Sequence, residues 1–120
     1  MHHRRVAVVG VGVVAPCGIG RDAFWAGLSR PAEGSQRLVE DFDPVPHFDN
    51  AKEARRADRF TQFALAAAAE AWEQAGSPDA HVGPRAGSWI SSGIGGIATL
   101  EEQIQVRLEK GERRVSPFLV

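Results

Sequence analysis

The amino-acid sequence predicts an α/β fold, because short apolar segments alternate with longer amphipathic helical patterns. The predicted order over the 120 residues is strand, helix, helix, strand, helix. A further apolar segment begins at Val115. Two strands do not form a stable sheet alone. We therefore expect the sequence to supply only part of a larger α/β fold.

The first half of the chain begins with a buried strand over Arg5–Val9, where three valines form an apolar run. A glycine-rich loop over Gly10–Gly20 follows this strand. A helix is predicted over Arg21–Leu28, with Asp22 near its start and apolar residues along one face. The polar, proline-containing stretch Ser29–Asn50 is expected to be a surface loop.

The strongest helical pattern covers Ala51–Ala75, and Gly76 followed by Pro78 predicts its end. The residues that recur at helical spacing on one face are Phe60, Phe63, Ala64, Ala67, Ala68, Ala71, Trp72 and Ala75. Because alanine is small, this face allows another backbone to approach closely. A helix buried in a layered core is the expected setting.

The second half predicts a strand over Ala86–Ser91, a glycine turn over Ser92–Gly96 and a long helix over Ile97–Lys110. Gly111 is the expected terminator of that helix. The apolar segment Val115–Val120 closes the sequence.

Composition excludes several classes of protein. The formal net charge is -1, which argues against a globally basic nucleic-acid-binding protein. Hydrophobic residues make up 43% of the chain and charged residues 24%, as in ordinary globular proteins. The apolar runs are far shorter than the ~20 residues that span a bilayer. The single cysteine cannot form an internal disulfide, and we expect a cytosolic protein.

Two glycine loops match the dinucleotide-binding pattern G-x-G-x-x-[GA], namely 10–15 and 93–98. In the first, Pro16, Gly18 and Gly20 stand where the helix of a dinucleotide site should already have begun. The second leads from strand to helix, but no acidic strand end follows at ~20 residues. A dinucleotide-binding module is therefore the remote alternative, and tight turns at strand ends are the preferred interpretation.

The cysteine and histidines do not form a recognisable catalytic or metal-binding set. Cys17 lies in a Pro-Cys-Gly turn and is interpreted as a packing residue, as free cysteines usually are. His2, His3, His47 and His81 have no spacing typical of zinc ligands. We predict no catalytic residue, no metal site and no cofactor in this chain.

Basic residues crowd the start of the long predicted helix, where positive charge is locally unfavourable. They are Lys52, Arg55, Arg56 and Arg59, and a second pair, Arg113 and Arg114, follows the last helix. From charge alone, we favour a solvated surface on which these residues form ion pairs with Glu53 and Asp58. Charge clusters on helices are mostly solvated, and their ion pairs contribute little to stability. The alternative is a docking patch for an acidic partner.

The sequence resembles the N-terminal portion of elongating β-ketoacyl-acyl-carrier-protein synthases, and it shares the pattern of polyketide ketosynthases. The matching blocks, in order, are Arg4–Pro16, Phe24–Trp25, Phe42–Pro44, Lys52–Arg56, Asp58–Ala64, Ser92–Gly96, Glu101–Glu102 and Arg113–Phe118. This resemblance implies a thiolase-like αβαβα fold, of which residues 1–120 are the N-terminal part, and a homodimer. It also implies decarboxylative condensation of an acyl thioester with a malonyl thioester. It accounts for both glycine loops without a nucleotide.

The family's Cys-His-His catalytic set matches no residue here, so we expect these 120 residues alone to be inactive. The resemblance places Ile94 and Leu119 at the acyl-chain pocket. It favours the docking interpretation over the solvated surface, because the family's counterparts of five basic residues contact the acidic acyl carrier protein. These residues are Lys52, Arg55, Arg56, Arg113 and Arg114. No nucleic-acid or membrane partner is expected. A polyketide ketosynthase and its non-catalytic pairing subunit stay open as alternatives.

Overall fold

The computed structural model describes residues 4–31, 38–78, 84 and 86–117. Within these residues the fold is mainly helical, with one short two-stranded ribbon. The strands and α-helices are β1 (Val14–Ala15), β2 (Gly18–Ile19), α1 (Arg21–Leu28), α2 (Ala51–Arg56), α3 (Arg59–Gln74) and α4 (Ile97–Lys110). Two 3-10 turns, Val45–His47 and Glu112–Arg114, join or follow them.

The β1–β2 ribbon was not predicted from the sequence, which indicated only a glycine-rich loop. The strands are antiparallel, with Val14 opposite Ile19 and Ala15 opposite Gly18. Helix α1, which was predicted with these bounds, lies directly over the ribbon. A Cβ at Gly18 would overlap the backbone of α1, and a Cβ on Gly27 of α1 would overlap the Cys17 carbonyl oxygen. Glycine is thus required on both sides of this contact.

The alanine face of α3 receives the segment before β1, which confirms the predicted close approach of a backbone. The expected burial in a layered core was wrong, because Gln62 and Ala66 are the buried residues of α3 and Leu65 and Trp72 are exposed. A Cβ at Gly10 would overlap the carbonyl oxygen of Ala71, and a Cβ at Gly12 would overlap that of Ala67. Gly10 and Gly12 are therefore needed because two backbones touch, and the small side chains of α3 make that approach possible.

The single helix predicted over Ala51–Ala75 is two helices, so this prediction was wrong at its middle. Ala57 has φ -76° and ψ 136°, which is extended backbone and ends α2. The break is stabilised by Gln62, whose buried side chain donates from Nε2 to the carbonyls of Ala54 (2.8 Å) and Ala57 (3.2 Å). Asn50 starts α2, with its Oδ1 accepting from the backbone amides two and three residues later.

A small aromatic core lies beside this junction and fixes α3 to the preceding loop. Phe42 is buried and meets Phe63 edge-on at 5.2 Å between ring centroids. The Arg59 guanidinium lies 5.1 Å from the Phe42 centroid and 4.7 Å from that of Phe63. Such cation–π contacts stabilise the start of α3. Gly76 (φ +83°) and Gly111 (φ +87°) adopt left-handed conformations where α3 and α4 end, as predicted.

Neither predicted strand forms in the described structure. Residues 5–9 and 86–91 are not paired in a ladder, and Val6 and Trp89 are 90% and 95% exposed. A strand needs a neighbour for its backbone hydrogen bonds, and the described residues supply none to either segment. Of the third apolar segment, residues 115–117 lie outside any strand, and 118–120 lie outside the described residues.

The exposed segments leave a large surface. The accessible area is 10583 Å², whereas a compact monomer of 12.9 kDa exposes roughly 6,300 Å² by the usual scaling with mass. The chain thus exposes more additional surface, relative to a compact monomer, than most protein interfaces bury. Within the described residues, no helix combines the length and hydropathy that crossing a bilayer requires.

Candidate functional site

The first glycine loop directs its backbone amides at side chains of α3. The Val11 amide donates to Gln74 Oε1 at 2.7 Å, and the Val13 amide donates to Glu70 Oε2 at 2.9 Å. The Arg21 amide, which starts α1, donates to Glu70 Oε1 at 2.7 Å. A dinucleotide site would present such amides to a pyrophosphate. Here Gln74 and Glu70 occupy them, so the loop is a structural element.

Glu70 is the centre of this arrangement. Besides the two amides, its Oε1 accepts from Arg21 Nε at 3.2 Å. The Arg21 amide contributes most to lowering the pKa of the Glu70 carboxyl below its ordinary value of 4.5, and the Val13 amide and the Arg21 guanidinium add to this effect. Glu70 therefore joins α3, the residue before β1 and the start of α1 as a charged acceptor. Sequence analysis missed it, although an acidic residue between Ala67 and Ala71 was a usable signal.

Cys17 lies in the turn between β1 and β2 and is half-buried. Its carbonyl oxygen accepts from Arg30 Nη2 at 3.3 Å and lies against Gly27. Both contacts are made by the backbone of Cys17, so the packing role predicted for its side chain stays a prediction. In the part of the chain that is described, no three His, Cys, Asp or Glu side chains lie close enough to hold a metal ion.

The second glycine loop, Gly93–Gly96, differs from the first. A Cβ at Gly93 would meet no atom within 4 Å, and the Ile94 side chain is 75% exposed. Gly95 has a left-handed φ of +72°. Gly96 lies flush against the Asp58 carboxylate, which a Cβ there would overlap. The loop is thus anchored at one end and open at Ile94. Leu119, the other predicted pocket residue, lies outside the described residues.

The basic side chains of α2, namely Lys52, Arg55 and Arg56, are exposed. The ion pairs expected from charge alone involved Glu53 and Asp58. Glu53 Oε1 instead accepts from Asn50 Nδ2 at 2.9 Å, and Asp58 Oδ1 accepts from Thr99 Oγ1. Lys52 and Arg55 form no ion pair with a carboxylate in the described part of the chain. Their charge is available for an outside partner.

Arg113 and Arg114 lie in the exposed 3-10 turn after α4. The turn is held against α4, because the Ser116 amide donates to Gln103 Oε1 at 2.6 Å. The Asp58–Thr99 hydrogen bond places the end of α2 at the opposite end of α4. Since α4 has 14 residues, its axis is about 20 Å long. The two basic groups therefore lie at the two ends of α4.

Comparison with known proteins identifies the family. A model of the β-ketoacyl synthase N-terminal domain matches residues 31–120. The 3-oxoacyl-(acyl-carrier-protein) synthase 2 of Staphylococcus aureus (strain COL) is 35% identical over 98% of this chain and 32% of its own length. The enzyme of the same name from Coxiella burnetii is 35% identical over 100% of this chain and 33% of its own length.

The chain therefore spans about a third of the length of these relatives. The family match includes 90 of the 120 residues. It includes α2, the Ile94 loop and the turn carrying Arg113 and Arg114. From this match, the chain belongs to the β-ketoacyl synthase family, and residues 31–120 correspond to the N-terminal domain of that family.

Proposed function

We propose that this chain is the N-terminal part of a 3-oxoacyl-acyl-carrier-protein synthase, an acyltransferase that elongates acyl chains in fatty acid synthesis. The observation that carries the proposal is the end-to-end match. Two relatives with this name are 35% identical over 98% and 100% of the chain. The exposed side chains of Lys52 and Arg55, which form no ion pair with any described residue, add support.

The reaction of the whole enzyme is a decarboxylative Claisen condensation. An acyl group is held as a thioester on a cysteine. Malonyl-carrier protein loses carbon dioxide, and the resulting carbanion attacks the thioester carbonyl. A carbon–carbon bond forms, the carbon–sulfur bond breaks and the cysteine thiolate is released. Within these 120 residues we assign no catalytic group. The proposed roles of the segment are to dock the carrier protein and to help shape the acyl-chain pocket.

In the whole enzyme, the segment completes a thiolase-like αβαβα fold. Residues 5–9 and 86–91 are then strands of a shared sheet, whose other strands come from elsewhere in the synthase. Their exposed valines and Trp89 support this, since uncovered apolar segments need a partner. The accessible area of 10583 Å² leaves ample surface for such packing. We further propose a cytosolic homodimer.

The carrier-docking surface comprises Lys52, Arg55 and Arg56 on α2, together with Arg113 and Arg114. Arg113 and Arg114 follow one end of α4, and Asp58, two residues after α2, bonds to its other end; the axis of α4 is about 20 Å long. The acyl-chain pocket includes Ile94 and Leu119. The Ile94 side chain is 75% exposed, which supports its contact with a substrate or with another part of the synthase.

The test is a condensation assay of the full-length synthase with the double variant Lys52→Glu and Arg55→Glu. These side chains are three residues apart and share one helix face. Reversing both charges should raise the KM for the acidic carrier protein roughly tenfold at low salt, with kcat little changed. The difference should shrink as salt is raised, because the screening length falls from ~10 Å at 0.1 M to ~3 Å at 1 M.

The matched control is Arg4→Glu with Arg5→Glu, which makes the same change in charge at two exposed positions outside α2. This control should leave the KM for the carrier protein within about twofold of the wild type. If both double variants raised the KM for the carrier protein equally, the increase would come from the change in net charge, and the proposed docking surface would be wrong. Absence of condensation by the wild-type synthase would overturn the proposed function itself.

A further inference from the structure

The junction between α2 and α3 makes contacts with the second glycine loop that the proposed function does not require. Asp58 is the residue immediately before α3. Its Oδ1 accepts a hydrogen bond from Thr99 Oγ1 in the first turn of α4. Its carboxylate also lies against Gly96, so closely that a Cβ on Gly96 would overlap it. Asp58 therefore touches both the loop and the helix that follows the loop.

Other contacts hold the junction rigid on the side of α2. Gln62 is buried and donates to the carbonyl oxygens of Ala54 and Ala57, at 2.8 Å and 3.2 Å. Ala54 itself is fully buried. Phe60 also lies near the loop, since its ring edge would be 3.9 Å from a Cβ added at Gly95. The basic helix α2 and the Gly93–Gly96 loop are thus fixed to one junction.

From this geometry we infer that Asp58 is a positioning residue, which holds the Ile94 loop in register with the docking helix α2. The inference rests on the proposed function, because it takes Ile94 as a pocket residue and α2 as the docking helix. Its physical basis is local. The carboxylate does not cap α3, so its acceptor capacity is directed at Thr99. This hydrogen bond and the contact of the carboxylate with Gly96 link the start of α3 to the Ile94 loop and to the first turn of α4.

The test uses the full-length synthase and the pair Thr99→Val and Thr99→Ser. Valine keeps the shape of threonine without the hydroxyl, whereas serine keeps the hydroxyl. We expect Thr99→Val to change the ratio of kcat/KM for a long and a short acyl substrate by roughly fivefold, as loss of one hydrogen bond allows. Thr99→Ser should keep the wild-type ratio. The KM for malonyl-carrier protein should stay unchanged in both, because α2 is untouched.

A second set of variants separates positioning from a general loss of stability. Asp58→Asn keeps an acceptor for Thr99 and should behave as the wild type, whereas Asp58→Ala should match Thr99→Val. As a single substitution, Gly96→Ala should change the ratio of kcat/KM for the long and short acyl substrates, because its Cβ would overlap the Asp58 carboxylate. In the double variant with Asp58→Ala it should cause no further change, because the carboxylate is gone. A general packing defect would instead give additive effects.

The outcomes are distinguishable from failure of the proposed function. If the wild-type synthase condenses acyl chains and Thr99→Val keeps its acyl ratio, the inference is wrong and the proposed function stands. If Asp58→Ala and Thr99→Val raise the KM for the carrier protein as the charge reversal on α2 does, the role is in docking and the inference is also wrong. If the wild type shows no condensation, both are overturned. Should Thr99→Val fail to fold, the Asp58→Asn and Asp58→Ala pair decides.

Discussion

The two glycine loops have the same sequence pattern and opposite surroundings. In the first, Gly10 and Gly12 contact the backbone of α3, and the amides of the loop are bound by Gln74 and Glu70. In the second, Gly93 faces open space. The middle residue of each Gly-x-Gly unit differs accordingly, since Val11 is 48% exposed and Ile94 is 75% exposed.

The comparison shows that one pattern of glycines arises for two physical reasons. Glycine in the first loop permits two backbones to touch, which is a packing requirement. Glycine in the second loop permits a left-handed turn at Gly95 and a close approach of the Asp58 carboxylate at Gly96. The first loop is internally satisfied and serves as scaffold. The second presents a side chain outward and is the better candidate for contact with a substrate.

The largest expected effect comes from adding one methyl group to each loop in the full-length synthase. Gly12→Ala places a Cβ on the Ala67 carbonyl oxygen, which belongs to a helix backbone and cannot rotate away. We expect a loss of about 3 kcal/mol in the free energy of unfolding, at the upper end of overpacking costs. Gly93→Ala, the matched control, should change it by less than about 0.5 kcal/mol. Urea unfolding followed by tryptophan fluorescence measures both, and equal losses would erase the proposed contrast.

A smaller effect is expected at Glu70, and it should depend on pH. Hydrogen bonds from Arg21 and Val13 lower the pKa of the folded carboxyl below the ordinary 4.5. Its stabilising contribution is therefore complete above that value and is lost as pH falls through the folded pKa. Glu70→Gln should destabilise the chain at pH 7, and the deficit relative to the wild type should shrink as the pH approaches 3.

The control for this prediction is Glu73→Gln on the exposed side of the same helix. It removes the same charge from α3 without touching the first loop. Urea midpoints between pH 3 and pH 7 should show little difference between this variant and the wild type at any pH. A deficit for Glu70→Gln that is constant with pH would mean that the charge of Glu70 is not what holds the loop.

Much of the helical structure was predictable from local signals. Helix α1 and helix α4 have the predicted bounds, and Gly76 and Gly111 occupy left-handed positions where α3 and α4 end. The alanine face of α3 predicted a close backbone approach, and Gly10 and Gly12 provide it. These features depend on residues near one another in sequence or on side-chain size, which a single sequence displays directly.

The remaining features depend on contacts between distant residues. The break between α2 and α3 is fixed by Gln62, which lies inside a continuous helical pattern and gives no local sign of its partners. The strands predicted at 5–9 and 86–91 have apolar sequences typical of strands, but strand formation requires a neighbour that the described residues do not supply.

At the candidate site, the roles of the basic residues of α2 and of Ile94 were predicted through the family resemblance, and they stay predictions. Leu119 lies outside the described residues, so its role stays a prediction. The link through Asp58 could not be read from the sequence, because 41 residues separate it from Thr99. The charge pattern alone predicts that Asp58 forms an ion pair at the surface. Its actual partner is a hydroxyl group on another helix.

The central claim is that the second loop contacts the acyl chain and the first is scaffold. The most direct test measures kcat/KM of the full-length synthase for a series of acyl chain lengths in Ile94→Ala and Val11→Ala, which truncate the β-branched side chain at equivalent positions of the two loops. The account predicts that Ile94→Ala shifts the preference between long and short chains by roughly tenfold, as expected for a pocket that gains several methylenes of space. It predicts that Val11→Ala keeps the wild-type preference. An unchanged preference in Ile94→Ala, or an equal shift in both variants, would contradict the account.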